Sequence, residues 1–343
     1  MGYVSRHNHA LLDFRLSLPE DWARDAQRRA ACHVPPEVRY HTRPEQCLEM
    51  LDTWGEQVPY GWVTGDDELG RHTQFRHELR ERGERYVLGV PCNTTIRDLE
   101  APLPVYAGCG RPSKAPWQSV TNWRQSLPDD VWTHLTVRDG EKGPVEMAMI
   151  RRRVQTRLER KRTGPAEWLV VTRRPLTDDG TWASRASRDA TDQDARYRYH
   201  YYLTPTDGGE VAFKEPSLGE LGRVIKAGAC IEASFKRGKG EVGMDEYQVR
   251  TWEGWHHHMA LSLLAVWFLI GETHRGQQWT PALTLPQVRY GLSMLLLEVF
   301  CTSGADYICR HVQRQLLRNE LARFYHHRTR KCIPPCKLRQ EIQ

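Results

Sequence analysis

Two short apolar runs, Tyr60-Gly61-Trp62-Val63-Thr64-Gly65 and Tyr86-Val87-Leu88-Gly89-Val90, constrain the fold most. Each has the length and character of a buried strand, and each follows a helical stretch. The first helix is expected from Pro44 to about Glu56, with Pro44 in the opening turn and Cys47, Leu48 and Leu51 on one face. The second is expected from Gln74 to Glu81, stopped by Gly83. Helix, strand, helix, strand in succession indicates an α/β layer architecture. Upstream, Ala10 to Leu16 reads as a further strand ending before Pro19, expected to join the same sheet.

Beyond Cys92 the pattern changes. Val131 to Val137, Trp168 to Thr172 and Tyr197 to Leu203 alternate as half-exposed strands do, between polar loops of which Leu176 to Ala195 is the least structured. Residues 92–216 are therefore read as a β-rich insertion. Helices return over Leu218 to Gly238, Gly254 to Ile270, Leu285 to Val299 and Ala305 to His327.

The chain has 343 residues, 39% hydrophobic and 27% charged, which places it with globular proteins rather than disordered ones. Its net charge of +6 matters less than where that charge sits. From Ala305 to Gln343 there are nine Lys/Arg against three Asp/Glu, so the tail carries the whole excess and suits a polyanion. On the expected last helix, Arg310, Arg314 and Arg318 recur at i, i+4 and i+8, with Ile308, Val312 and Leu316 roughly opposite. Nine scattered cysteines and an N-terminus without an apolar signal core point to a reduced, cytoplasmic compartment. The longest apolar run, Met259 to Ile270, has twelve residues, fewer than the roughly 20 of a membrane span, and is read as a buried core helix.

Two clusters hold candidate chemistry. Asp66 and Asp67 follow directly on a strand, which fixes a carboxylate while leaving it accessible to a metal. Strand-end aspartates also serve as plain helix caps, and spacing alone favours that. Glu232, Lys236 and Lys239 fall at i, i+4 and i+7 and share one helical face. A metal-binding glutamate with two phosphate-gripping lysines has this form, and so does a solvated Glu–Lys pair.

The stretch from Lys239 through Gly243-Met244-Asp245-Glu246-Tyr247 to Arg250, with Trp252 and Trp255-His256, resembles the insertion-sequence 701 family of transposases. The resemblance takes in Asp13-Phe14-Arg15-Leu16-Ser17-Leu18-Pro19, Trp62-Val63-Thr64-Gly65-Asp66, Tyr86-Val87-Leu88-Gly89-Val90-Pro91 and Gly140-Glu141-Lys142-Gly143-Pro144, in order along most of the chain. It implies an RNase H-like core interrupted by the β-rich insertion and followed by a helical tail. Core segments are then expected at 1–91 and 217–275, with a basic helical region at 276–343. It also implies cut-and-paste transposition: metal-dependent hydrolysis of phosphodiester bonds, then strand transfer.

Asp66 matches the family's second catalytic aspartate and Glu232 its glutamate, both ligands of Mg²⁺ or Mn²⁺ in a two-metal site. Lys239 matches the closing lysine of the family pattern, and Lys236 has a counterpart in related transposases. Where the pattern has a tyrosine and an arginine, this chain has Ile225 and Gly228. The family's first catalytic aspartate lies upstream of the segment matched by residues 2–22, so an N-terminal truncation and weakened metal binding are expected. Implied partners are double-stranded DNA, as transposon ends and target, and a second subunit in a synaptic complex, within a bacterial nucleoid. Two rivals stand beside this: a non-catalytic DNA-binding remnant, and an unrelated nuclease using Asp66, Asp67 and Glu232.

Other clusters are weaker. His256-His257-His258 sits at the start of an apolar helix. Cys332 and Cys336, with His326 and His327, have prolines and a spacing poorly suited to zinc. The run Arg151-Arg152-Arg153, continued by Arg157, Arg160, Lys161 and Arg162, is either solvated surface or a DNA backbone contact.

Overall fold

The computed structural model of the chain describes residues 1–5, 8–102, 114–140, 143–157, 163–175, 197–208, 211–300 and 305–331. The loop at 176–195, residues 141–142 and 160–162, and the Cys332/Cys336 pair lie outside these residues, as do the side chains of Ile308, His326 and His327. The fold is mixed α/β and ends in helices. It divides into two compact units, one of Met1–Tyr40, Asp139–Gly143 and Cys230–Gln343, the other of His41–Arg138 and Pro144–Ala229.

In the first unit, β1 (Gly2–Val4) and β2 (His9–Leu11) form an antiparallel hairpin. The strand expected over Ala10 to Leu16 is thus shorter, and among the described residues it pairs with β1 rather than joining the larger sheet. Local hydrogen bonds end it. The Leu12 and Asp13 amides both donate to the Met1 carbonyl (2.9 and 3.3 Å). The Asp13 carboxylate accepts from the Phe14 amide at 2.7 Å and from Arg15 at 2.8 Å, offering the backbone an alternative to a ladder. Two short helices follow, α1 (Glu20–Arg24) and α2 (Ala26–Ala31).

The second unit opens with α3 (Arg43–Trp54), started by a reciprocal capping box between Thr42 and Glu45 with Pro44 in its first turn. Next come β3 (Val63–Gly65), α4 (Asp67–Gly70), α5 (Thr73–Glu81) and β4 (Tyr86–Val90). The α5 helix ends before Gly83, whose φ of 70° is the left-handed geometry that closes a helix. All five residues of β4 are buried, as its unbroken apolar run requires. By contrast β3 is only half-buried, because it lies at the end of its sheet.

The β-rich segment supplies β5 (Thr95–Asp98), β6 (Trp117–Ser119), α6 (Val120–Gln125), β7 (Thr133–Gly140), β8 (Gly143–Arg157), β9 (Thr163–Pro175) and β10 (Tyr197–Pro205). These strands continue the sheet of β3 and β4 in the order β3-β4-β10-β9-β8-β5-β6, with β7 also paired to β8. The β3–β4 pair is parallel, and the other registered neighbours are antiparallel. A small hairpin, β11 (Asp207–Gly208) with β12 (Val211–Ala212), closes the segment. One core cluster packs Val120, Trp123 and Trp132 on Ile96, Ile150, Leu169 and Val171. Another sets Leu221, Val224 and Ile225 against Val87, Met149 and Val170. A third joins Cys47, Leu48 and Leu51 of α3 to Phe75, Leu79 and Leu88.

Those C-terminal contacts come from α7 (Leu218–Val242), whose first half belongs to the sheet unit and whose remainder belongs to the helical unit. In the helical unit follow α8 (Trp252–Gln277), α9 (Leu285–Phe300) and α10 (Ala305–Lys331). The apolar run in α8 is not buried all round, contrary to expectation. Leu263 and Val266 enter a core with Leu11 and Met244, while Leu261, Leu264 and Phe268 stay exposed. No helix among the described residues is long and apolar enough to cross a membrane.

Candidate functional site

Asp66 stands where β3 gives way to α4. Its side chain accepts from the Leu69 amide at 3.3 Å, so it is an N-cap, and it is also exposed. The plain structural reading of this aspartate is therefore correct as far as it goes, and it leaves carboxylate surface open to solvent. Close approach holds the turn. A Cβ on Gly70 would lie 1.8 Å from the Gly89 carbonyl oxygen, so only glycine lets α4 sit this tightly on β4. Asp67, also exposed, leans on Arg71 at 3.7 Å.

Trp62, just before β3, donates its indole N–H to Glu220 at 3.1 Å. Arg85 stacks over that indole at 3.9 Å and reaches the same carboxylate at 3.0 Å. This trio ties the first turn of α7 to the strand that carries Asp66. Further along, a Cβ on Gly228 would sit 3.8 Å from Thr64 Oγ1, and Ile225 packs into the core. Of these two positions, Ile225 helps build the core, while Gly228 has room for a side chain.

Glu232, Lys236 and Lys239 all lie on α7 and are exposed, sharing a face as their spacing predicts. Among the described residues neither lysine is ion-paired. On α10, Arg310, Arg314 and Arg318 are exposed while Val312 and Leu316 are half-buried, so the arginine stripe faces solvent. Asn319 of the same helix donates to the Ala282 carbonyl at 3.0 Å and to Gln287, which fixes α10 on the start of α9.

Several weaker candidates resolve into structure. His256 Nδ1 lies 2.8 Å from the Trp252 carbonyl oxygen, and His258 Nε2 lies 3.2 Å from that of Gly243. His256 and Trp255 also pack on Phe14, so residues from two distant segments of the family resemblance meet in one aromatic cluster. The basic run is part of strand β8. Arg151 pairs with Glu215 and stacks over Trp168, and Arg152 pairs with Glu100 at 3.0 Å. These two members of the run are therefore neutralised by folding.

Sequence reasoning missed a buried polar network below α5. The Arg76 guanidinium meets the Glu167 carboxylate at 2.9 Å, with both side chains almost wholly buried. Tyr86 and Thr156 hydroxyls donate to the same carboxylate at 2.8 and 3.0 Å. Burial, then the neighbouring carboxylate, holds the Tyr86 phenol well above its usual pKa, so it remains a donor. Arg76 and Glu167 are 91 positions apart, and no local pattern links them.

Asp66 and Glu232 offer hard oxygen donors of the kind Mg²⁺ prefers. Among the described residues, however, no group of three or more His, Cys, Asp or Glu side chains comes together as a metal site. A complete three-carboxylate set is therefore not assembled by them.

No curated protein matches the chain significantly. Residues 1–144 are similar to the family described as DDE superfamily endonuclease, a match that contains β1 to β7 and Asp66 and stops short of Glu232.

Proposed function

We propose that this chain derives from a DDE transposase of the insertion-sequence 701 type and acts on the phosphodiester backbone of double-stranded DNA. The observation that carries this reading is the endonuclease-family match over residues 1–144, with Asp66 inside it at the carboxyl end of a strand parallel to buried β4. In this reading the core is RNase H-like, over 1–91 and 217–275, with 92–216 as its β-rich insertion and 276–343 as a basic helical region. Asp66 and Glu232 are the metal ligands this chain contributes, for Mg²⁺ or Mn²⁺. Lys236 and Lys239 contact phosphate, and Arg310, Arg314 and Arg318 add backbone contacts from α10. Transposon ends and target are the DNA partners, and two copies act together in a synaptic complex.

Incubation of the purified chain with paired element ends and Mg²⁺ or Mn²⁺ tests this. Any metal-dependent cleavage is expected to be weak, to vanish in Asp66→Ala and in Glu232→Ala and to persist in Asp67→Ala. Cleavage indifferent to both of the first two substitutions would refute the assignment. A second reading, a DNA-binding remnant without catalysis, is favoured by Gly228 and Ile225 standing where the family has an arginine and a tyrosine. Duplex binding by α10 with no cleavage under any metal is its signature.

A further inference from the structure

Beside the Asp66 turn, within the sheet unit, a cleft of about 440 Å³ opens between α5, the segment after β4 and the end of β8. Arg71, Arg76 and Arg157 line it together with Thr73, Asn93 and Thr95. All the lining residues are cationic, neutral polar or proline, and none is acidic. Two of the guanidiniums have carboxylate neighbours outside the lining: Arg76 is held by Glu167, and Arg71 lies 3.7 Å from Asp67. Arg157 has no carboxylate within ion-pair distance among the described residues. It is exposed and rests 5.0 Å from the Trp117 ring, which holds it in place without neutralising it.

The amides at the start of α5 add to the positive field. That helix has nine residues, and His72 at its N-cap makes no side-chain hydrogen bond to it, so among the described residues its first amides have no side-chain cap. Thr73, the first residue of the helix, lines the cleft. A helix start carries a partial positive charge and outward-facing N–H groups, which favour an anion. Guanidinium forks and hydroxyls lining one cleft beside a helix start are the donors a tetrahedral oxyanion needs, and the excess charge comes from Arg157.

From this arrangement we infer that the Arg71–Arg157 cleft binds a phosphate group, and that the phosphate belongs to a DNA strand. The phosphate chemistry stands on the cleft alone. The assignment to DNA rests on the function proposed above, since α4 runs from the Asp66 cap directly to Arg71 and so places the cleft one short helix from the candidate catalytic carboxylate. The cleft would hold the backbone at a phosphate away from the one cleaved, fixing register without reading bases.

Two measurements on the full chain test this. The first follows thermal stability with inorganic pyrophosphate, comparing wild type with Arg71→Ala/Arg157→Ala. Stabilisation of wild type that is lost in the variant is expected. The second follows duplex DNA binding by fluorescence anisotropy across a salt series. Loss of two cationic contacts should lower the slope of log affinity against log salt by up to about 1.8, at roughly 0.9 per phosphate neutralised. If the double variant fails to fold by circular dichroism, Arg157→Gln alone is used, because that side chain is exposed, and the expected change in slope is about 0.9. Pyrophosphate stabilisation lost with an unchanged DNA slope would overturn the strand assignment. No change in either measurement would overturn the site itself. Absence of cleavage by wild type, with the slope change intact, would sink the catalytic reading and leave this site standing.

Discussion

In the sheet unit Leu88, Ile96, Leu169, Val170 and Leu203 have no exposed surface, whereas in the helical unit Leu261, Leu264 and Phe268 are 67%, 56% and 54% exposed. Both units are rich in apolar residues, so composition does not separate them. Geometry does. Strands β4, β8, β9 and β10 have neighbours on both sides and side chains on both faces, and helices α3, α5, α6 and α7 supply cover. The α8 helix presents apolar residues around more than one face. Its buried residues, Ser262, Leu263, Val266, Leu269 and Thr273, follow one stripe. The sheet unit is therefore closed around its core, and it also carries Asp66 and the arginine cleft.

The deepest difference between the units is the polar network under α5, and breaking it should have the largest effect. Replacing Glu167 with alanine strands Arg76 as a buried unpaired cation and leaves the Tyr86 and Thr156 hydroxyls without their acceptor. A loss of about 3–5 kcal/mol is expected for removing one partner of such a pair. Hydrogen exchange read by mass spectrometry should localise the lost protection to β4, β8 and β9. Protection lost equally from α8 and α9 would mean that the two units unfold as one.

Leu263→Ala is the corresponding cut in the helical unit. Its side chain packs with Leu11, Met244 and Val266, and it is 7% exposed. Truncation of a buried leucine costs about 2–5 kcal/mol, with the lower part of that range expected here because the surrounding face is open and can relax. Urea denaturation monitored at the helical unit checks this. A loss as large as that of Glu167→Ala would remove the contrast between a closed core and an open one.

How much of this was legible beforehand follows the same division. The run Tyr86 to Val90 announced a fully buried strand, and Pro44 and Gly83 marked helix ends through local chemistry that needs no tertiary partner, whereas the Thr42 cap was not read. The strand β8 was illegible because Arg151-Arg152-Arg153 breaks the apolar pattern. Arg151 and Arg152 are satisfied by Glu215, Glu100 and the Trp168 ring, which are remote in sequence. The strand over Ala10 to Leu16 was overread, since Asp13 turns its carboxylate onto the next amide and ends the ladder. For the candidate site, the shared face of Glu232, Lys236 and Lys239 was readable from helical spacing alone. The arginine cleft was not, because Arg71, Asn93 and Arg157 come from three segments that only folding brings together.

A smaller effect separates the entry of α3 from the helices without such caps. Thr42 and Glu45 exchange hydrogen bonds, with the Thr42 amide donating to Glu45 at 2.7 Å. Thr42→Ala should cost about 1 kcal/mol, the typical worth of an N-cap, and Thr42→Ser should restore most of it. The denaturation midpoint of the sheet unit is the readout. An unchanged midpoint for Thr42→Ala would mean that Pro44 and the packing of Cys47, Leu48 and Leu51 set this helix without its cap.

The smallest expected change tests the open face itself. Leu264 lies one residue beyond Leu263 but on the exposed side of α8, and Phe268 follows one turn later. If water covers this face, Leu264→Ser and Phe268→Ser each remove apolar surface that folding never buried. The hydrophobic contribution of those atoms is then nearly the same in the folded and unfolded chain. What remains is the modest difference in helix propensity between the residues, a few tenths of a kcal/mol. Stability should therefore move by no more than about 0.5 kcal/mol, as for other surface positions. The comparison with Leu263→Ala is internal to one helix, so differences in backbone context largely cancel. A loss above about 2 kcal/mol at Leu264, approaching that of a buried leucine, would mean that the face is covered in solution, and the contrast between a closed and an open unit would fail at its most exposed point.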